Sequence, residues 1–151
     1  MSGWRALPLN TTLVGGEVLV SYGTPATAWD SLLLQFDYDT RLFRRRSEAE
    51  IAERLRGFGG HRIYLVGHMH RATTRRIAET LLVRSGPVNW PNDGDPRAAW
   101  TLLERRSDGW HVEHRRVTYD WDAAARFIRQ SGAPDWAEVE LILNPSADAW
   151  V

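Results

Sequence analysis

The sequence contains no cysteine. Disulfides, thiolate metal sites and cysteine nucleophiles are thereby excluded together. It contains no lysine either: all 19 basic residues are arginine. Schiff-base chemistry and the phosphate-binding lysine of a P-loop go with it. No apolar run approaches the roughly 20 residues of a membrane span. The start, "MSGWRALPLN", lacks the basic region and apolar core of a signal peptide. The expectation is a cytoplasmic protein with no membrane partner. Formal net charge is +0, whereas dedicated nucleic-acid binders usually carry a basic excess, so no nucleic-acid partner is expected. No nucleophile elbow and no Ser-His-Asp order appears, which leaves acyl transfer without support. "GGEVL" and "GFGGH" lack the fuller glycine fingerprint of a nucleotide cradle.

What is present is ordinary for a globular chain. At 151 residues it is long enough for one domain, 1–151, with a sizeable core. "GEVLVSYG" (residues 16–23) and "RIYLV" (62–66) read as buried strands, the first bounded by glycines. Pro25 and Thr27 mark a turn, and "AWDSLLLQF" suggests one or two helical turns. The arginine run at Arg44 to Arg46 reads as a solvated face. "SEAEIAERLRGFGG" is a helix: Ser47 and Glu50 have capping-box spacing, and glycines at 57, 59 and 60 end it. Strand, helix, strand suggests a crossover unit with a functional loop after its second strand.

Further on, "RRIAE" and "TLLVR" look like short strands, and "GPVNWPNDGDPRAAW" is a loop for most of its length. "AAWTLLERR" and "GWHVEHRRVTY" flank "SDG" as a β-hairpin. "DWDAAARFIRQSG" is a helix capped by Asp120 or Asp122, and a last short helix is expected from Pro134.

The candidate chemistry lies in "YLVGHMHRA". Gly67 breaks the strand, and His68 and His70 follow with one residue between them. In an extended segment, residues i and i+2 point to the same side, so both imidazoles can serve one metal ion or two adjacent ones. Neutral imidazole suits zinc, iron, manganese or nickel. On spacing alone the pair has a second reading, as two polar residues of a loop, since a catalytic zinc needs about three protein ligands. Other candidates are weaker. His111 and His114 would face opposite sides of a strand, and His61 is a turn residue. The carboxylates of Asp37 and Asp39 share a side of an extended segment and fit either a cation or a solvated loop.

Together with its surroundings, "GHMH" resembles the Gly-His-x-His motif of the calcineurin-like metallophosphoesterases, in their small bacterial branch. "GEVLVSYGTPATAWDSLL" is similar to that branch's strand ending in His-Gly-Ser/Thr-Pro. "NDGDPRAAWTLLE" is similar to its Asp-Gly-Asp-Pro-Arg-Ala loop, and "VTYDWDAAARFIRQSGAP" to its Tyr-Asp and terminal helix. The pieces keep the family's order from about Leu7 onward. The resemblance implies an α+β fold: part of a two-sheet β-sandwich with flanking helices. It implies His68 as a ligand of one divalent metal and His70 as a ligand of the other, and phosphate mono- or diester hydrolysis.

Two departures qualify what it implies. The family's earlier motifs, Asp-x-His, Gly-Asp and Gly-Asn-His, have no free counterpart here, so the resemblance covers only the family's C-terminal part. No residue can be assigned as general acid. The ligand histidine of His-Gly-Thr-Pro is replaced by Tyr22, a degenerate metal position, because a neutral phenol is a poor ligand. A milder departure puts Arg84 near the family's Asn-Pro-Gly-Ser, where it fits a phosphate contact or a surface arginine. A sandwich without its N-terminal half would carry unpaired edges and an uncovered apolar face. The expectation is a homo-oligomer, or a complex with a separate N-terminal chain. Any divalent metal would be held weakly, in an incomplete site. The competing reading is a non-catalytic remnant that binds a partner or assembles with itself.

Overall fold

Three apolar segments build the centre of a five-stranded sheet. The computed structural model describes residues 7–132. In chain order the strands are β1 (Asn10–Leu13), β2 (Val18–Ser21), β3 (Leu34–Asp37), β4 (Leu42–Arg45), β5 (Ile63–Val66), β6 (Thr73–Ile77), β7 (Thr80–Arg84), β8 (Ala98–Arg106) and β9 (Gly109–Val117). The helices are α1 (Glu48–Arg54) and α2 (Trp121–Gln130). The chain divides into two compact units. One holds the residues up to His68 together with Thr74–Arg84; the other holds Met69–Thr73 and the residues from Ser85 onward.

In the first unit the sheet order is β1-β2-β5-β7-β6. β2, β5 and β7 run parallel, and β1 pairs antiparallel with β2. Parallel central strands are buried on both faces and so read as continuous apolar runs. Val18, Leu19, Ile63, Tyr64, Leu82 and Val83 are accordingly all buried. On one face Leu19, Tyr64, Val66 and Leu82 pack with Leu32, Leu33 and Ile51 of α1 and the segment before it. The expected crossover is present, since α1 lies in the connection between parallel β2 and β5. α1 starts with the capping box read from its sequence: the Ser47 side chain accepts from the Glu50 amide, and the Glu50 carboxylate accepts from the Ser47 amide. The Arg44 guanidinium and this capping amide hold the Glu50 carboxyl well below its ordinary value.

Two expectations fail in this unit. "AWDSLLLQF" forms no helix. Leu32 and Leu33 are buried in a bend whose Ser31 hydroxyl accepts from the Leu34 amide, and the segment continues as β3, paired with β4. The leucines are consecutive because they fill a core, not because they line a helix face. The arginine run is not uniformly solvated either. Arg44 and Arg45 are exposed, but Arg46 is only 4% exposed. Its Nε donates to the Ser31 carbonyl, Nη1 to Gln35 and Nη2 to Asp30, at 2.9, 3.0 and 2.7 Å. Burial pulls the Arg46 pKa down, but the Asp30 carboxylate opposes that shift.

In the second unit β8 and β9 form the expected hairpin, paired from Ala98–Val117 to Arg106–Gly109. α2 is capped by Asp120 rather than Asp122, its carboxylate accepting from the Ala123 amide at 2.7 Å. The stretch from Ser85 to Arg97 is irregular, as its composition predicts. The expected helix from Pro134 lies outside the described residues. No helix among the described residues is long and apolar enough to cross a membrane.

Candidate metal centre

β2 and β5 run side by side and end together, with Ser21 opposite Val66. Beyond that point the Gly67 amide donates to the carbonyls of Ser21 and Tyr22, at 3.3 and 2.9 Å. The two chains are so close that a Cβ on Gly67 would lie 3.1 Å from the Tyr22 ring. The glycine is there for this approach. Tyr22 and His68 are thereby brought together, ring centroids 5.4 Å apart and tilted by 54°. Tyr22 thus stands beside His68, one of the paired histidines. Half of its surface is open to solvent.

The histidine segment itself is not extended. His68, Met69 and His70 have φ of 53°, 59° and 46°, three successive non-glycine residues in the left-handed region. Strand alternation therefore gives the two imidazoles no shared side. In a helical turn of either hand, i and i+2 lie about 200° apart. The reason is local: after Gly67 the chain leaves the sheet in a tight turn instead of continuing β5. Left-handed non-glycine residues cost on the order of 1–3 kcal/mol each and persist where the surroundings hold them.

His70 shows what does the holding in the second unit. Its Nδ1 lies 2.8 Å from the Trp90 carbonyl, and its own carbonyl accepts from the Asn92 amide at 3.1 Å. A carbonyl can only accept, so Nδ1 carries the proton. In the neutral ring Nε2 is then the bare lone pair. This is the arrangement typical of a metal-ligating histidine, whose second nitrogen donates to a backbone carbonyl. His70 thus fits a metal. The set of donors does not complete a site: among the described residues no group of three or more His, Cys, Asp or Glu side chains could hold an ion.

The loop that presents Trp90 is itself tied down. The Arg116 guanidinium, on β9, pairs with the Asp93 carboxylate. Its Nε lies 3.3 Å from the Asp95 carboxylate, and its Nη1 donates to the Asp95 carbonyl at 3.2 Å. The side-chain hydrogen bond from Arg97, more than the charge of Arg116, pulls the Asp95 pKa down to about 2. At the loop's other end the Ala99 amide donates to the Pro87 carbonyl at 2.7 Å. Asp93 and Asp95 stand out in the sequence as part of a motif. Arg116 does not, being one of 19 arginines. The Trp90 carbonyl has no side-chain signature at all.

Arg84 is not a surface arginine: it is 2% exposed, on the sheet face it shares with Leu82 and in register with Val66. His111 and His114 pair with Glu104 and Thr101 and so face opposite sides of the hairpin, as expected. His61 is a turn residue whose Nδ1 lies 2.6 Å from the Gly16 carbonyl. The Asp37 carboxylate accepts from the amides of Asp39 and Thr40, which makes it the start of a turn and not half of an extended carboxylate pair.

No family profile and no curated protein matches this chain. Solved structures do. A metallophosphoesterase from Sphaerobacter thermophilus superposes with a TM-score of 0.66 at 20% identity, covering 93% of this chain and 59% of that one. The hypothetical protein PH1004 from Pyrococcus horikoshii OT3 superposes with a TM-score of 0.68 at 19% identity, covering 92% of this chain and 51% of that one. The chain thus spans between half and three fifths of the length of these two structures. At these identities the match speaks for architecture: the chain has the α+β fold of part of a metallophosphoesterase.

Proposed function

We propose that the chain is a partial calcineurin-like metallophosphoesterase domain that retains one prepared metal ligand, His70, without a complete site. The observation that carries this reading is the bond between His70 Nδ1 and the Trp90 carbonyl, which leaves Nε2 bare. His68 is the second ligand by resemblance, beside the degenerate position Tyr22. A metal in such a site supplies an activated water and a clamp on phosphoryl oxygens. The chain's own residues supply no general acid, so no hydrolytic step is assigned to it alone. Phosphate mono- or diester hydrolysis belongs to an assembly in which another chain brings the missing ligands. There Arg84 is the candidate phosphate contact.

The chain by itself is expected to bind at most one divalent ion, weakly, with affinity lost at least tenfold in His70→Ala. Calorimetric titration with Mn²⁺ and elemental analysis after dialysis test this. Two tightly held metals per chain would contradict it. So would turnover of p-nitrophenyl phosphate with added Mn²⁺ that disappears in His70→Ala.

A second reading has its own support, that of a non-catalytic partner-binding or self-assembling fold. Among the described residues β3–β4 and β8–β9 are each two-stranded sheets with an unpaired edge on either side. Two-stranded sheets alone are marginal in water. Leu42, Phe43, Trp100 and Val117 on these strands are exposed. The chain is therefore expected to run as a homo-oligomer, or to need a second chain for solubility. Light scattering on a size-exclusion column at micromolar concentration decides; a clean monomer would sink this expectation.

A further inference from the structure

We infer that Arg116 is a positioning residue for His70: by clamping the 93–95 loop it holds the Trp90 carbonyl on Nδ1 and keeps Nε2 bare. The inference rests on the reading of His70 as a metal ligand and goes beyond it, to what fixes the ligand's tautomer and orientation.

Trp90 has φ of 58°, a left-handed conformation unfavourable for a bulky residue. Left to itself the chain there would relax, and its carbonyl would turn. Two contacts tie the segment to His70: the carbonyl itself and the Asn92 amide, which donates to the His70 carbonyl. These are neutral bonds of modest net worth, comparable to the strain they must hold. Something further has to pin the loop, and the ion pair nearest to Trp90 along the chain is the one that Asp93 makes with Arg116 on β9.

Its guanidinium reaches both aspartates that follow Asn92. It pairs with the Asp93 carboxylate, faces the Asp95 carboxylate, and donates to the Asp95 carbonyl. The Asp93 and Arg116 side chains are 12% and 21% exposed, so water screens the pair less than it would on an open surface. The Asp93 carboxylate also accepts from the Asp95 amide, which closes the turn around Gly94. Arg116 sits opposite Ala99 in the β8–β9 register, and the Ala99 amide holds Pro87. One pair of residues on the hairpin therefore anchors both ends of the loop whose middle carries Trp90. A fork that reaches two carboxylates and a carbonyl needs a planar guanidinium; an ammonium could hold only part of it.

The test uses the full chain and reads His70 directly. Long-range ¹H–¹⁵N correlation spectra of the neutral imidazole are expected to show a single Nδ1–H tautomer in the wild type. Arg116→Gln is expected to give a tautomer mixture, Arg116→Lys a smaller change, and Asp93→Asn an intermediate one. Co²⁺ is the metal probe, and its affinity is expected to fall about tenfold or more in Arg116→Gln, the usual cost of losing an outer-shell partner. Circular dichroism confirms that each variant is folded; if Arg116→Gln does not fold, Asp93→Asn carries the test. An unchanged tautomer in a folded Arg116→Gln or Asp93→Asn would overturn the inference. A shifted tautomer with unchanged Co²⁺ binding would keep the positioning role and overturn the reading of His70 as a ligand.

Discussion

Replacing Gly23 by alanine is expected to cost about 4 kcal/mol or more, a large part of the stability of an ordinary domain. Gly23 does not have the left-handed φ that usually explains a glycine. The problem is space. A Cβ there would lie 2.6 Å from the carbonyl oxygens of Asp30 and Thr27, and 2.8 Å from that of Ala28. All three are backbone atoms of the loop that wraps the residue, so no side chain can rotate away. Moving that loop would displace Ser31, Leu32 and Leu33, which are buried. It would also disturb the bond between the Ser21 hydroxyl and the Gly23 carbonyl, and with it Tyr22, which stands against Gly67 and His68. Gly59→Ala is the control, since a Cβ there meets nothing within 4 Å. It should be neutral or slightly stabilising, by up to about 1 kcal/mol. Urea denaturation of the two variants checks the contrast; similar midpoints would show that the 27–30 loop yields easily.

The same residues show how far a sequence can be read. The central strands were legible because parallel, doubly buried strands need continuous apolar runs, and Ile63–Val66 and Leu81–Val83 are such runs. The starts of α1 and α2 were legible because capping is local: Ser47 acts with Glu50 within one turn, and of the two candidate aspartates, Asp120 and Asp122, the first caps the Ala123 amide. The β8–β9 hairpin was legible from "SDG" between two long strand patterns. What failed was set by distant partners. Arg46 is buried because Asp30, Ser31 and Gln35 surround it from 11 to 16 residues away. Nothing in "RRR" distinguishes its third member. "AWDSLLLQF" satisfies helical and core spacing alike, and tertiary burial chose the second.

Around the candidate site the fold was legible and the local geometry was not. The residue types and order around His68 and His70 pointed to a fold that the solved structures share. The strand-parity argument for the pair failed, because three left-handed residues cannot be read from "HMH". The residue that orients His70 contributes only a backbone carbonyl, 20 positions away. Backbone acceptors leave no trace in composition or spacing.

Asp30→Ala is expected to destabilise the chain by about 2–3 kcal/mol. Removing one partner of a buried ion pair typically costs about 3–5 kcal/mol. The figure is reduced here because the Asp30 side chain is 36% exposed and water can reach its place. The carboxylate takes two charges at once: Oδ1 accepts from Arg46 and Oδ2 from Arg54 of α1, both at 2.7 Å. It thereby links the end of the β3–β4 hairpin to the helix that covers the core. Without it the buried Arg46 guanidinium keeps only Gln35 and the Ser31 carbonyl, beside the like charge of Arg54. Arg46→Met should cost less, about 1–2 kcal/mol, chiefly for the Ser31 carbonyl left without its donor. It keeps an apolar side chain of similar reach, and Asp30 keeps Arg54. The double variant, Asp30→Ala with Arg46→Met, is then expected to be no less stable than Asp30→Ala alone, because the charge that Asp30 neutralised is gone. Urea denaturation of the four proteins gives the cycle. Strict additivity of the two losses would mean that Asp30 and Arg46 act independently, and that Arg46 is held in the core by its packing and backbone partner alone.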